Sequence, residues 1–259
     1  MTARMNNARG LYLDGIRDGR AREALDRYTG DRYTQHSTGV ADGKEGFLAF
    51  FEPFLARNPR RDIEVVRAIE DGQYVFLHVA QTLGGVTHWV TADLFDTDDN
   101  ARIVEHWDTI APGGLISPSG HTQTDGATEV ADLDRTEENK QKVSRFIATV
   151  LQDGQFERAA EFISQESYVQ HSPEVADGID GFTAFVAELT AEGKRLTYTK
   201  VHRLIGQGNF VVTLSEVDQA GTPMAVFDIF RLQDGVIVEH WDVAETVPSP
   251  TEANNSGKF

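Results

Sequence analysis

The sequence predicts an α+β protein built from two tandem copies of one domain, each with three helices packed in a curved antiparallel sheet. Three observations predict it. Landmarks recur in one order at a nearly constant shift of 134 or 135 positions. Tyr33-Thr-Gln-His36 returns as Tyr168-Val-Gln-His171, Val40-Ala-Asp-Gly43 as Val175-Ala-Asp-Gly178, and Ile103-Val-Glu-His-Trp-Asp108 as Ile237-Val-Glu-His-Trp-Asp242. Asp18-Gly19, Gly46-Phe47 and Asp93-Leu-Phe95 have counterparts in Asp153-Gly154, Gly181-Phe182 and Asp228-Ile-Phe230. Second, the apolar period changes within each copy from 3.6 to 2, so helices precede strands. Third, the strand-like runs are separated by tight turn pairs, the pattern of a meander. The copies span 1–112 and 134–247. A Pro-, Gly- and Ser-containing linker fills 113–133, and 248–259 reads as a frayed tail.

Each copy opens with a helix, about Asn6 to Asp18 and about Thr136 to Asp153. In the second, Asp134 and Glu137 have the spacing of a capping box, and Val143, Phe146, Ile147, Val150 and Leu151 repeat at helical spacing. Gly19 and Gly154 stop these helices. A short second helix carries Ala24, Leu25 and Tyr28, or Ala159, Ala160 and Ile163. The Tyr-x-Gln-His segment is short and extended. A third helix covers about Lys44 to Arg57, or Ile179 to Glu192. Four β-rich runs follow in copy one, Ile63 to Ile69, Tyr74 to Leu83, Val86 to Asp96 and Ile103 to Ile110. Asp71-Gly72, Gly84-Gly85 and Asp98-Asp-Asn100 break them. Copy two turns at Gln207-Gly208, Ala220-Gly221 and Asp234-Gly235.

Composition narrows the functions. The 259 residues contain no cysteine, which excludes a thiol nucleophile, a disulfide framework and cysteine-ligated metal. With 41 acidic against 24 basic residues the formal charge is −17, a poor basis for gripping a phosphate backbone. No run of about 18 apolar residues is long enough to span a bilayer, and the first residues lack the apolar core of a signal peptide. The expectation is a cytoplasmic protein that takes a small molecule, not nucleic acid or membrane. No Gly-x-Ser-x-Gly motif or phosphate loop occurs, and no short metal-ligand spacing, so no metal and no organic cofactor is expected.

The order of these motifs resembles the SnoaL-like branch of the NTF2-like superfamily, over residues 6–111 and 136–245. The resemblance implies two tandem NTF2-like cones, in which a bent sheet wraps the helices and leaves a pocket at its open end. That superfamily includes polyketide cyclases, ketosteroid isomerase, scytalone dehydratase, limonene epoxide hydrolase and non-catalytic members. It implies an acid/base carboxylate at Asp108 and Asp242, and a second polar pocket position at Asp93 and Asp228. It also implies homodimers in single-domain relatives. Here the duplication would supply that pair within one chain, sheet against sheet through Trp107 and Trp241, with further homo-oligomers open.

The residues themselves point to the same chemistry. Asp is a poor strand former, yet Asp93 sits inside an apolar strand run. A buried carboxylate there needs a partner, and desolvation raises its pKa toward that of a useful base. Two carboxylates close together cannot both ionise easily, so one of Asp93 and Asp108 should be raised. His106 and His240 lie two residues before the final Asp, on its face of the strand. His36 and His171, or Tyr33, could donate to an oxyanion. His78, His88, Trp89 and Phe95 complete the candidate substrate pocket of copy one. Leu214, Pro223 and Met224 stand opposite His78, His88 and Trp89 in copy two, which makes copy one the better catalytic candidate. The expected activity is that of a cofactor-independent cyclase, isomerase or aldol-type enzyme. It would remove a proton next to a carbonyl of a small apolar substrate. The alternatives are a non-catalytic ligand-binding or assembly module, and an epoxide hydrolase or dehydratase. Epoxide opening would want an arginine between two pocket carboxylates, and Arg102 and Arg231 fall at a turn and a strand end.

Overall fold

A computed structural model describes residues 1–249 and 252–259. The chain forms two units. The first comprises residues 1–113 with the described part of 247–259, and the second residues 114–246. Both are α+β.

In the first unit α1 (Ala3–Gly10) runs on into a π-helical turn over Leu11–Arg17. Gly19, at φ +77°, then reverses the chain, a conformation that favours glycine. α2 (Ala21–Tyr28) follows, then β1 (Thr29–Gln35) and α3 (Gly43–Arg57). The meander is β2 (Arg61–Asp71), β3 (Tyr74–Leu83), β4 (Thr87–Thr97) and β5 (Ile103–Pro112). The sheet order is β1-β5-β4-β3-β2, with β1 parallel to β5 and the other pairs antiparallel. Register shifts in β2 between Val65 and Arg67, and in the β4–β5 pair beyond Asp96, mark bulges that bend such a sheet. Its concave face and the helices close over a core containing Leu11, Leu25, Phe47, Leu77, Val79 and Phe95.

The second unit repeats this plan. α4 (Thr136–Phe146) also ends in a π-helical turn, Ile147–Gln152. The second helix is reduced to a 3₁₀ segment, Phe156–Glu161, and the extended segment to β6 (Val169–Gln170). α5 (Gly178–Ala191) precedes β7 (Leu196–Gln207), β8 (Phe210–Gln219), β9 (Thr222–Gln233) and β10 (Val236–Thr246). The order β6-β10-β9-β8-β7 matches the first sheet strand for strand. Among the described residues no helix is long and apolar enough to cross a membrane.

Two expectations need correction. Asp134 and Glu137 form no capping box. Residues 133–135 coil as a 3₁₀ turn, the helix cap is Arg135 without a side-chain bond, and Glu137 pairs instead with Lys140. Nor is the described tail frayed. Asn255 Nδ2 donates to Ser37 O at 2.7 Å and Val40 O at 2.8 Å, and Ser256 Oγ donates to Asp42 Oδ2 at 2.9 Å. These contacts supply fixed partners that composition alone does not reveal.

Gly46 and Gly181, in the repeated Ala-Asp-Gly-x-x-Gly stretch, let the helix start pass directly over a backbone carbonyl. A Cβ on either would overlap the carbonyl of Ala41 or Ala176. Backbone cannot yield as a side chain can. Gly46→Ala and Gly181→Ala should therefore each destabilise the protein by about 1–3 kcal/mol, read from denaturant unfolding. Unchanged midpoints would contradict this packing.

Candidate active site

The first unit encloses a cavity of about 250 Å³. One wall is a phenylalanine ladder on α3. Phe47, Phe50, Phe51 and Phe54 recur at i, i+3, i+4 and i+7, so they share one helix face. Tyr12, Tyr33, Trp89 and Phe95 bring the lining aromatics to eight. Beside the two tyrosine hydroxyls and the Trp89 indole, the polar lining is Gln35, Ser37, Thr38, Gln81, Asp93, His106 and Asp108.

Strand register assembles the polar end. Asp93 on β4 stands opposite Asp108 on β5, and Phe95 opposite His106, so period-two alternation turns all four to one face. His106 Nε2 lies 3.0 Å from Asp93 Oδ1, and Phe95 stacks on the imidazole with centroids 4.6 Å apart. Asp93 Oδ2 accepts from Tyr12 at 3.0 Å and from Thr91 at 2.7 Å. His106 Nδ1 lies 2.8 Å from Gln35 Oε1. That oxygen also accepts the backbone N–H groups of His36 and Ser37, each at 3.1 Å. An oxygen fixed as acceptor obliges His106 to donate from Nδ1. The Nε2–Asp93 bond then holds one proton, either on the carboxyl of a neutral pair or on the imidazole of an ion pair. Burial is the main force raising the Asp93 carboxyl, and the charge of Asp108 adds to it, against the opposing pull of His106. Burial and the neighbouring Asp93 likewise push the Tyr12 phenol well up, so it remains a donor at neutral pH.

Asp108 is buried too, and Lys258 Nζ from the C-terminal segment lies 3.3 Å from its Oδ1. Ligand atoms of Asp93, His106 and Asp108 converge within 4.8 Å, so this trio is where a cation would be held. A cation there would have to displace the hydrogen bonds of Asp93 and meet the Lys258 ammonium.

The expected site residues divide. Asp93, His106, Asp108, Tyr33, Trp89 and Phe95 line the cavity. His36, His78 and His88 do not, and their proposed pocket roles are corrected. His36 follows Gln35 and alternation turns it away; it stacks on Trp107 and its Nε2 meets Glu105 at 3.0 Å. His78 lies between the core residues Leu77 and Val79 in sequence and therefore faces the other side, 3.1 Å from Arg67. His88, near the hairpin end, meets Thr82 Oγ1 at 3.0 Å. Arg102 donates to backbone carbonyls at the end of α2, and Arg231 pairs with Glu239 at 2.6 Å, so neither lies between the carboxylates. The residues missed were Tyr12, Gln35, Gln81, Thr91 and Lys258. Gln35 stood in the repeated Tyr-x-Gln-His motif, and its retention in both copies was the available signal.

The second unit keeps the frame. His240 Nδ1 meets Gln170 Oε1 at 2.9 Å and Nε2 meets Asp228 Oδ1 at 3.1 Å. The phenol on the carboxylate now comes from Tyr198 on β7, at 3.1 Å. Ile147 stands at the position of Tyr12, and Ile63 at that of Tyr198. Burial raises Asp242, and its buried Oδ1 has no hydrogen-bond partner among the described residues. A groove of about 630 Å³ in this unit is lined by residues such as Phe156, Phe182, Phe185 and Leu189; Asp228, His240 and Asp242 are not in its walls. His171 repeats His36. It stacks on Trp241, and its Nε2 meets Glu239 at 3.0 Å. Trp241 Nε1 donates to Asp125 O at 2.9 Å, so the linker covers it within its own unit.

The family comparison agrees with this layout. The family described as the SnoaL-like domain matches residues 10–106 and again 143–240. Among solved structures, wild-type IdmH from Streptomyces antibioticus, provisionally described as a polyketide cyclase, is 20% identical. The match covers 41% of this chain and 91% of that one at a TM-score of 0.35. A protein of Kribbella flavida DSM 17836 provisionally described as a ketosteroid isomerase is 14% identical, with coverages of 45% and 84% and a TM-score of 0.39. A protein of Jannaschia sp. CCS1, provisionally a SnoaL-like polyketide cyclase, is 22% identical, with coverages of 46% and 92% and a TM-score of 0.36. No curated protein matches.

Glu239 offers a test of the outer hydrogen-bond frame. Burial alone would raise its carboxyl, but His171 and Arg231 outweigh burial and hold it below the ordinary value of 4.5. A depressed carboxylate contributes stability above its unfolded value and loses that contribution as pH falls through the folded one. Glu239→Gln should melt below the parent at pH 7, and the gap should shrink as pH drops below 4.5. A gap that stays constant down to acid unfolding would contradict the assignment.

Proposed function

Because the chain belongs to the SnoaL-like domain family twice over, we propose that its first copy is a cofactor-independent enzyme of the cyclase, isomerase or aldol type. It removes a proton next to a carbonyl of a small, flat, apolar substrate. The observation that carries this reading is the cavity itself: eight aromatic side chains around a single polar end where Asp93, His106 and Asp108 meet.

In this reading Asp108 is the base. It takes the proton from carbon, and the C–H electron pair moves into the enolate with charge on the carbonyl oxygen. Tyr33, held protonated by burial, is the wall donor suited to that oxygen, while Tyr12 keeps its single O–H on Asp93. The proton shared by His106 and Asp93 is the acid closest to the base, and it quenches the enolate oxygen or restores the carbon proton. In an aldol or cyclisation step the enolate carbon instead attacks a second carbonyl of the same molecule. The apolar walls exclude water, which strengthens each of these charge interactions. The second copy is assigned a binding or scaffolding role, because its Asp–His pair lies outside the groove described in that unit.

The test uses β-tetralone, a bicyclic aromatic ketone with acidic α-protons, in deuterium oxide, with exchange followed by proton NMR. The protein should accelerate α-exchange above buffer. Asp108→Asn should lower kcat by about a hundredfold or more, and Asp242→Asn by less than about twofold. Exchange at the buffer rate, or equal losses from the two variants, would contradict the proposal.

A further inference from the structure

The segment after each copy folds with the unit that does not contain the preceding strand. Residues 114–133 belong to the second unit, and 252–259 to the first. The two segments make matched contacts. His36 Nδ1 meets the carbonyl of Gly257, and His171 Nδ1 meets that of Thr122. Asp42 accepts from Ser256 at 2.9 Å, and Asp177 meets His121 at 2.9 Å. Ser256-Gly257 therefore stands where His121-Thr122 stands in the other unit. The next residue is Lys258 in the first unit and Gln123 in the second, each 5% exposed. At this structural position the first site carries a cation and the second a neutral amide.

We propose, resting on the reading of the first copy as an enzyme, that Lys258 is a positioning residue for Asp108: a charge partner that the first site has and the second lacks. Its side chain is fully buried, with Nζ 3.3 Å from Asp108 Oδ1 and 3.3 Å from Thr38 Oγ1. A buried ammonium needs a carboxylate, and the contact fixes one oxygen of that carboxylate. The charged and titratable groups facing Asp108 are Asp93 on β4, His106 on β5, Tyr12 from the π-helical turn, Tyr33 on β1 and Lys258. With one proton shared between His106 and Asp93 that pair is neutral overall. Lys258 then offsets the charge of Asp108 within the enclosed cluster. In the second unit a neutral glutamine occupies the equivalent position, and Asp242 keeps a buried oxygen without a partner.

Two measurements decide this. The first needs no substrate: acetylation by a water-soluble succinimidyl acetate, read residue by residue by mass spectrometry. Lys258 should label at least tenfold more slowly than Lys194, whose side chain is 55% exposed. Asp108→Asn should speed Lys258 labelling at least threefold, and Asp242→Asn should leave it unchanged. Labelling as fast as at Lys194, or no response to Asp108→Asn, overturns the proposal. The second is β-tetralone exchange. Lys258→Gln installs the residue that the fold already carries at position 123, and should lower kcat at least tenfold with KM within twofold. Lys258→Arg should restore most of the loss. Full activity in Lys258→Gln, or an equal loss in both variants, overturns the positioning role. If the parent protein exchanges nothing, the functional reading falls and takes the positioning role with it. The labelling result still decides whether the ion pair exists.

Discussion

The carboxamide oxygen of Gln35 is where the backbone and the chemistry of the first unit meet. It accepts two successive backbone N–H groups as the chain leaves β1, and it accepts the imidazole of His106 from β5. The parallel β1–β5 pairing sets Gln35 beside His106 in register, so the contact follows from strand alignment rather than from a mobile loop. His36 N–H also donates to the His106 carbonyl at 2.9 Å, but reversing the carboxamide would turn its N–H₂ onto the Ser37 N–H, which is costly in a low-dielectric interior. The tautomer of His106 is therefore imposed by the β1–β5 pairing. The proton between His106 and Asp93 follows from that constraint, while Asp108 on the same strand face meets Lys258 instead.

The same frame recurs at Gln170, His240 and Asp228, so the duplication preserved the constraint while the surroundings changed. The phenol that caps the carboxylate moved from a helix in one copy to a strand in the other. Tyr12 arrives from the π-helical turn over β4, and Tyr198 from the far strand of the meander. Each satisfies the buried Asp, and each is matched by an isoleucine where the other copy has its phenol. Replacing Gln81 by Val217 and Trp89 by Met224 removes further polar and aromatic lining from the second copy. The phenol on the buried aspartate of the Asp–His pair is thus common to both units, and in the first unit that pair lines an aromatic cavity.

Much of this was legible in the sequence. The repeat gave the two α+β units, the change of period gave helices before strands, and the turn pairs placed the hairpins. Alternation along β4 and β5 was enough to set Asp93, Phe95, His106 and Asp108 on one face. Other features were hidden for physical reasons. Histidine draws attention because it titrates, yet at Gln35-His36 it is the amide that turns inward and the imidazole that turns out to Glu105 and Trp107. His78 needed only the same alternation, since Leu77 and Val79 on either side of it face the core. Tyr12 was obscured because the widened helical turn shifts its face away from simple 3.6-residue spacing. Lys258 sits 150 positions from Asp108 in a polar tail, and no local pattern encodes that contact.

The central claim is that an acceptor oxygen from Gln35 fixes the protonation of His106. Long-range proton–nitrogen correlation NMR of the histidine side chains at neutral pH measures it directly. His106 should carry its proton on Nδ1, with the Nε2 resonance reporting the bond shared with Asp93, and His240 should behave alike. A His106 signal protonated only at Nε2, with a bare Nδ1 facing Gln35, would contradict the account.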